Sequence, residues 1–467
     1  MKSLTASTIL LTHSNHVFYD AKQTQKMQPY PPLQTLLVAA VLRQAGFKVE
    51  VCDVSLENPE EKLTRAIERL AACIVLVCED GFNFLSKMCL SRNRELAFWI
   101  ASTARAKGCA TAVHGSDSTD HVDNYLDAGF ECVLIGEVEE TILQIAKGGD
   151  WNSIAGLAYR FEGKTRRTIA RPLQTDLNSL PSAAWDLIDI EPYRKAWLGH
   201  HGYFSLNIVS SRGCPYRCNW CAKPTYGNNY HVRSPRAIAE EMLFLKKRYA
   251  PDHIWFADDI FAISARWTQE FADTVEELDA AIPFKMQSRC DLMTRETVAD
   301  LKRAGCASVW MGAESGSQRI LNAMEKGIRV EQIYQARENL RSRGIRIGWF
   351  LQFGYPGEGW DDIESTIQMV RTTQPDDIGV SVSYPLPGTK FYQLVASNLG
   401  AKTNWSESGD LTMMFRGAFS SNLYRSLANA LHLEVRTPHN RTAIKEAWEK
   451  VEALKTLEAP LTEAATQ

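Results

Sequence analysis

The sequence predicts an α/β protein in three parts: a doubly wound parallel sheet of the Rossmann or flavodoxin type, a partial (β/α)6 barrel, and a mostly helical C-terminal segment. Three observations carry this. Short apolar runs alternate with amphipathic stretches up to Lys147, the alternation breaks over the next fifty residues, and six further apolar runs follow from Phe204 onward. A chain of 467 residues also exceeds one ordinary domain and predicts about three. The expected divisions are 1–150 for the first sheet, 151–200 for a linker with a hairpin, 201–390 for the barrel and 391–467 for the helical end.

In the first series, Ile9-Leu10-Leu11 is a strand, and the amphipathic stretch Leu33–Gln44 is a helix that stops at Gly46. Val49–Val51 follows as a strand and the charged segment Pro59–Leu70 as a helix. Ile74–Val77 is apolar without interruption, as a parallel strand covered on both faces should be. Helix Arg92–Lys107, strand Ala110–His114, helix Asp120–Asp127, strand Cys132–Ile135 and helix Glu139–Lys147 complete five units. Leu157–Arg160 and Thr165–Ile169, separated by Phe161-Glu162-Gly163-Lys164, predict a hairpin. Leu173–Tyr193, with Pro172, Pro181 and Pro192 nearby, predicts a linker of little regular structure.

The second series places strands at Leu206–Ser210, His253–Phe256, Phe284–Ser288, Ser308–Gly312, Arg346–Phe353 and Asp377–Ser383. Helices fall between them at Pro235–Arg248, Arg266–Leu278, Arg295–Ala304, Gln318–Asn322 with Val330–Ser342, and Trp360–Thr372. Six units predict a partial barrel rather than a complete eightfold one. The end Leu461–Gln467 is polar and predicts fraying.

Composition excludes several classes. Apolar residues at 45% and charged residues at 23% match a folded soluble chain rather than a disordered one. Lys plus Arg number 52 against 55 Asp plus Glu, a formal charge of −3, so the basic excess of a nucleic-acid binder is missing. The run Leu36–Leu42 is far short of the ~20 residues a membrane span requires. The N-terminus has no cleavage signature, and the expectation is a cytoplasmic protein.

Eleven cysteines are too few and too scattered for a secreted disulfide framework. Cys52, Cys73, Cys78, Cys109 and Cys132 sit in or beside apolar runs and read as small buried hydrophobes, as do Cys89, Cys290 and Cys306. Cys214, Cys218 and Cys221 differ. They occupy one loop, Ser211-Arg212-Gly213-Cys214-Pro215-Tyr216-Arg217-Cys218-Asn219-Trp220-Cys221, after the first strand of the second series. Chance would give that spacing on the order of once in a hundred and fifty such compositions. Three soft thiolates suit iron–sulfur or zinc. Zinc needs a fourth ligand, which His231 could supply. Three thiolates without a fourth suit a four-iron cluster with one iron left open to a substrate.

Cys214-x3-Cys218-x2-Cys221, with Trp220 before the last thiol, closely resembles the radical S-adenosylmethionine (radical SAM) superfamily, whose motif follows the first strand of a partial barrel. The resemblance implies a 4Fe-4S cluster on the three cysteines. It also implies S-adenosylmethionine (SAM) on the open iron, and reductive cleavage to methionine and a 5′-deoxyadenosyl radical. Polar residues close the later strands: Asp258 and Asp259, then Arg289 and Asp291, then Glu314 and Ser315, with Gln352 on the fifth strand before Gly354-Tyr355-Pro356-Gly357-Glu358. Carboxyl ends of barrel strands are where functional side chains gather. The resemblance makes Trp220, Asp258, Asp259, Arg289, Glu314, Ser315 and Gln352 the SAM contacts, with Arg289 or Arg319 available as a fork for the carboxylate.

A doubly wound domain ahead of such a barrel resembles the cobalamin-dependent class of that superfamily. Tyr30-Pro31-Pro32-Leu33 before the first long helix, Gly46-Phe47-Lys48-Val49 after it, and Gly136-Glu137 after the fifth strand agree with it. The Asp-x-His-x-x-Gly loop that ligates cobalt in other cobalamin domains is missing, which implies cobalt without a protein imidazole. His114 reads as satisfying a strand end. By resemblance, cobalamin would meet Pro31, Pro32, Glu79, Gly115, Ser116, Gly136 and Glu137, its lower face lying over the Glu79-Asp80-Gly81-Phe82 or the Gly115-Ser116-Asp117 loop.

The expected activity is therefore methylation of an unactivated carbon of a small molecule, lipid or natural product, with a flavodoxin- or ferredoxin-type electron donor and no nucleic-acid partner. A cobalamin-dependent cyclase or rearrangement enzyme without net methylation is the alternative, and a non-catalytic cobalamin or iron–sulfur sensor is a third reading. A tRNA methylthiotransferase fits poorly, because the charge balance is wrong and no further cluster motif precedes Cys214. The sequence does not name a proton-transferring or nucleophilic residue.

Overall fold

The computed structural model describes residues 8–70, 73–82, 91–223, 225–399 and 410–458. They form two compact units, the first drawing on residues before 216 and on 223–259, the second on 216–222 and on those from 260 onward.

In the first unit, strands β1 (Thr8–Thr12), β2 (Lys48–Cys52), β3 (Cys73–Cys78), β4 (Ala110–His114) and β5 (Cys132–Leu134) pair in parallel in the order β2-β1-β3-β4-β5. The chain therefore starts in the middle of the sheet and winds both ways, as the alternation predicts. Alternate side chains of β1 divide between the two faces: Ile9 and Leu11 join one core layer with Ile74 and Leu76, and Leu10 joins the other with Val75, Val77 and Ile100. Helix Leu33–Gln44 is buried along nearly its whole length. Helix Pro59–Arg69 starts where the Asn58 side chain accepts from Glu61 N at 3.1 Å, with Pro59 in its first turn, and buries Leu63 and Ile67.

The predicted hairpin, β6 (Leu157–Phe161) with β7 (Lys164–Arg167), adds antiparallel to β5 and extends the sheet to seven strands. The predicted linker is less irregular than its prolines suggest. Short 3-10 turns occupy Leu177–Ser179 and Trp185–Leu187, and helix Glu191–His201 begins inside it. That helix was hidden because Pro192 is tolerated in a first helical turn. The predicted helix Asp120–Asp127 is two short helices, Ser116–Asp120 and Val122–Asp127.

The six strands of the second series are β8 (Ser205–Ile208) and β11 (His253–Phe256), parallel in the first unit, and β12 (Phe284–Ser288), β13 (Cys306–Glu314), β14 (Arg346–Phe353) and β15 (Asp377–Val382), parallel in the second. Helices alternate with them. Ser264 caps Ala265–Glu277 through Trp267 N, and Thr294 caps Arg295–Arg303 through Thr297 N. A two-residue ladder, β9 (Ser211–Arg212) with β10 (His231–Val232), was too short to register as periodicity. Helices Ser421–Arg436 and Arg441–Glu458 make up the C-terminal segment, and Leu461–Gln467 lies outside the described residues. No helix among the described residues is long and apolar enough to cross a membrane.

The cysteine readings divide. Cys52, Cys78, Cys132, Cys290 and Cys306 are buried free thiols, and burial pushes Cys52, Cys290 and Cys306 up to about 12. Cys109 is a correction: it is buried but disulfide-bonded, because an apolar pattern reveals burial without revealing which sulfurs meet. Cys89 and the side chain of Cys73 lie outside the described residues.

Candidate active site

The cysteine loop leaves β8, and its root is built in the first unit. Asp258, just past the end of β11, is buried, and its Oδ1 accepts from Ser210 N and Oγ, both at 3.0 Å, from Ser211 Oγ at 2.6 Å, and from Ser211 N. Its Oδ2 is buried without a partner, and burial raises the carboxyl to about 7. Gly213 has φ +80, and a Cβ there would lie 2.3 Å from the Asn229 carbonyl oxygen, so only glycine permits the turn into Cys214. Lys223 Nζ donates to the Cys214 carbonyl at 3.0 Å.

Arg212, two residues before Cys214, is 4% exposed and bridges two carboxylates at the end of the first sheet. Nη1 donates to Glu137 Oε1 at 2.8 Å and Nη2 to Glu139 Oε1 at 2.6 Å. Gln34 Nε2 adds a second bond to the same Glu139 oxygen at 2.9 Å. Tyr226, on the far side of the loop, donates to Gln34 Oε1 at 3.0 Å and stacks on Phe82 at 5.9 Å. Both rings lie beside the guanidinium. Burial alone would raise Glu139, but the Arg212 charge overrides it and holds the carboxyl below its usual value.

The loop's second half belongs to the second unit. Asn219 N donates to the Met324 carbonyl at 3.1 Å, and its own carbonyl accepts from Phe391 N at 3.0 Å. Its side chain bonds the Ala323 carbonyl at 2.8 Å and the Tyr355 hydroxyl at 3.1 Å. Trp220 packs against Ile320, Met324, Tyr355 and Phe391, with Nε1 buried and unpartnered. Tyr216 lies under the Arg289 guanidinium, 3.7 Å from the ring centroid.

Glu314 closes β13 at φ +60, beyond a register shift, and its Oε1 accepts from Lys326 Nζ at 2.7 Å; both side chains are buried. A Cβ on Gly312 would lie 2.2 Å from the Glu314 oxygen, so the glycine makes room for the pair. Lys326 is within electrostatic reach of Cys218; burial would lower its amine, yet Glu314 and Cys218 together raise it. The other predicted contacts are placed as follows. Arg289 is committed to Asp291 at 3.0 and 3.1 Å and to the Lys326 and Gly327 carbonyls. Ser315 ties its turn to Thr366 at 3.1 Å, and Gln352 donates to Ser383 Oγ at 2.9 Å. Asp259 is exposed, and Arg319 binds the Gly357 carbonyl and Asp362 at the surface.

Among the described residues no three His, Cys, Asp or Glu side chains stand close enough to share one metal ion, and the zinc alternative with His231 has no preformed cage. One zinc draws its sulfurs to within about 3.8 Å of each other at a Zn–S distance of ~2.3 Å. A four-iron cube takes one thiolate per iron and spaces them more widely. The donor set fits the cube: Cys214, Cys218 and Cys221 form no disulfide and are partly exposed, whereas the five other non-disulfide thiols among the described residues are buried.

At the first sheet's carboxyl edge, Glu79 Oε1 accepts from Ser14 N at 2.8 Å and Oγ at 2.6 Å, and its side chain abuts Gly115. Ser116 begins the short helix Ser116–Asp120. The Pro31 carbonyl accepts from Asn207 at 3.1 Å, and Pro32 caps helix Leu33–Gln44. His114 is buried, kept neutral by burial, and donates through Nε2 to the Gly136 carbonyl at 3.0 Å, a strand-end role. Glu137 is committed to Arg212 and Gln174 N.

Four residues of this framework escaped the sequence reading. Arg212 and Asn219 stand inside the quoted loop with nothing to distinguish them from solvated neighbours. Lys326 and Glu139 read as ordinary charges in a loop and a first helical turn.

Two outcomes follow. Arg212→Met should cost about 3–5 kcal/mol by leaving two buried carboxylates unpaired, while the triple change R212M/E137M/E139L should recover most of it. Urea unfolding at constant m-value distinguishes them. Glu358, whose Oε2 accepts from Gly354 N while Oε1 is buried and unpartnered, is raised by burial to about 8. The folded state then holds a proton that the unfolded chain releases near 4.5, so stability falls as pH rises from about 4.5 to 8. Glu358→Gln should flatten that slope in denaturation curves across the range; an unchanged slope would contradict the assignment.

Residues 208–370 match the Radical SAM superfamily model. The chain is 28% identical over 282 residues to an uncharacterized methyltransferase of Pyrococcus horikoshii, a stretch covering 59% of this chain and 60% of that protein. It is 26% identical over 384 residues to the hopanoid C-3 methylase of Methylococcus capsulatus, covering 79% and 69%. It is 24% identical over 381 residues to the anaerobic magnesium-protoporphyrin IX monomethyl ester cyclase of Synechocystis, covering 78% and 73%. Its fold matches the radical SAM methyltransferase TsrM from Kitasatospora setae, solved with cobalamin and a 4Fe-4S cluster bound, at a TM-score of 0.67 and 20% identity over 84% of this chain and 78% of that one. It also matches OxsB, solved with aqua-cobalamin and S-adenosylmethionine bound, at a TM-score of 0.72 and 17% identity over 97% and 72%. The matched span carries the cysteine loop and strands β11 to β14, so the resemblance to the radical SAM superfamily falls on the segment that holds the three thiols.

Proposed function

We propose that the protein is a cobalamin-dependent radical SAM methyltransferase acting on an unactivated carbon of a small molecule, lipid or natural product. The observation that carries the reading is the buried Glu314–Lys326 ion pair at the end of β13, within electrostatic reach of Cys218. An ion pair there offers an acceptor, Glu314, to the amino N–H groups and a cation, Lys326, to the carboxylate of the zwitterionic methionyl end of SAM, the two groups that the open iron would ligate. Cys214, Cys218 and Cys221 hold the 4Fe-4S cluster, which when bound supplies the electron that breaks a sulfonium C–S bond. Trp220 and the apolar group around it keep water from the loop. Asp258, Asp259, Arg289, Ser315 and Gln352 complete the SAM side, Asp258 and Arg289 by holding the two halves of the loop in place.

Cobalamin lies at the carboxyl edge of the first sheet, near Pro31, Pro32, Glu79, Gly115, Ser116, Gly136 and Glu137, and supplies a cobalt able to carry a methyl group. The orphaned buried acceptor Asn93 Oδ1 supports a ligand there. Glu79 and Glu137 shape that edge from within, since both carboxylates are spent on protein donors. A flavodoxin- or ferredoxin-type protein delivers the electrons.

Anaerobically reconstituted protein should carry about four irons and four sulfides, and alanine at Cys214, Cys218 and Cys221 should abolish 5′-deoxyadenosine formation. Methyl transfer predicts S-adenosylhomocysteine alongside 5′-deoxyadenosine. A cyclase gives only the latter, and a sensor neither. Lys326→Met should weaken SAM binding about 10- to 100-fold with iron content unchanged; equal affinity would contradict the zwitterion assignment.

A further inference from the structure

The strand order of the first sheet reverses between β1 and β3, and ligands of such sheets enter at that reversal, beyond the carboxyl ends. A small crevice of about 30 Å3 opens past the ends of β1 and β2, lined by Asn15, His16, Gln28, Tyr30, Ser55 and Asn93 among others.

Two side chains in it present an acceptor. Asn93, in the first turn of helix Ser91–Ala106, is 3% exposed, and its Oδ1 is buried with no partner. Such an acceptor is costly unless a donor arrives. His16 places Nδ1 2.7 Å from the Val54 carbonyl oxygen. A carbonyl only accepts, so Nδ1 carries the hydrogen, and burial keeps the ring neutral. Nε2 is thereby left as a lone-pair acceptor, its direction fixed by edge contacts with Phe18 at 5.4 Å and Tyr19 at 4.8 Å. Among the described residues no Lys or Arg lines the crevice. Its carboxylate, Asp20, uses Oδ1 to cap helix Ala21–Lys26 through Lys22 N at 2.8 Å and Gln23 N at 3.3 Å. A phosphate or carboxylate would find no counter-charge, whereas a neutral group bearing N–H donors would satisfy both acceptors.

We propose that this crevice seats a primary carboxamide arm of the corrin, its NH2 donating to Asn93 Oδ1 and His16 Nε2. The proposal rests on the cobalamin reading above and deepens it by naming the part of the cofactor that is recognised. One NH2 supplies two donors, and the amide oxygen accepts from the neutral donors of the lining.

The test is a spectrophotometric titration of the full-length protein with hydroxocobalamin, with its monocarboxylic acid derivatives in which one amide is hydrolysed, and with cobinamide, which lacks the nucleotide tail. Wild type should bind at least one acid derivative about tenfold more weakly than the parent, a comparison that needs no variant. Asn93→Leu and His16→Phe should each weaken hydroxocobalamin binding about tenfold, and Asn93→Leu should erase the discrimination against that acid. The same weakening with cobinamide supports the corrin arm. A weakening that disappears with cobinamide puts the tail in the crevice and overturns the proposal. Variants that bind like wild type overturn it while the cobalamin reading stands, and a wild type that binds no cobalamin fails both.

Discussion

The buried cluster of Arg212, Glu137 and Glu139 is the constraint on which the first unit depends. A guanidinium removed from water is tolerable only where carboxylates and hydrogen bonds replace its hydration. Here it is answered by two glutamates from the segment after β5, and one of them is further bonded by Gln34. Because Arg212 immediately precedes Gly213-Cys214, the first thiolate inherits its place from the end of the first sheet. Tyr226 repeats the connection on the loop's other side through Gln34 and Phe82. A loop rich in glycine and proline would otherwise sample many conformations. The electrostatic demand of one buried charge removes that freedom at its root.

The second unit fixes the remaining thiols by a different means. Asn219, between Cys218 and Trp220, satisfies its backbone and side chain with four partners from three separate segments, while Trp220 and Tyr216 bury their rings. Opposite this hydrogen-bonded half stands a charged one, where Glu314 holds an uncommon positive φ and Lys326 balances it. Strained backbone with a buried ion pair is costly to maintain for stability alone. Its recurrence at the carboxyl end of a barrel strand fits the expectation that such ends carry chemistry.

Much of the fold was legible because apolar periodicity reports burial directly. The continuous apolar run Ile74–Val77 and the strand Ile9–Leu11, each followed by a helical pattern, point to a parallel sheet covered on both faces. Helix Glu191–His201 and the ladder of β9 with β10 were not legible, one masked by a proline that first helical turns accept, the other shorter than any period. At the candidate site, cysteine spacing pointed to the loop and polar strand ends to Glu314, which the fold pairs with Lys326. Arg212, Asn219 and Lys326 were invisible because their importance lies in what they meet, partners 12 residues away for Lys326, 73 and 75 for Arg212 and 104 or more for Asn219, which spacing along the chain does not encode. Arg289 shows the converse: its strand-end position suggested a fork for a ligand, and the fold spends it on Asp291, Tyr216 and two carbonyls.

The central claim is that three thiolates hold a cluster with one coordination position open to the sulfonium substrate. Electron paramagnetic resonance of the reduced, reconstituted protein, recorded before and after adding SAM, tests it most directly. An open iron that takes the amino and carboxylate groups must change the cluster's g-values when SAM binds. A spectrum identical in both conditions, or protein that takes up zinc in place of iron, would contradict it.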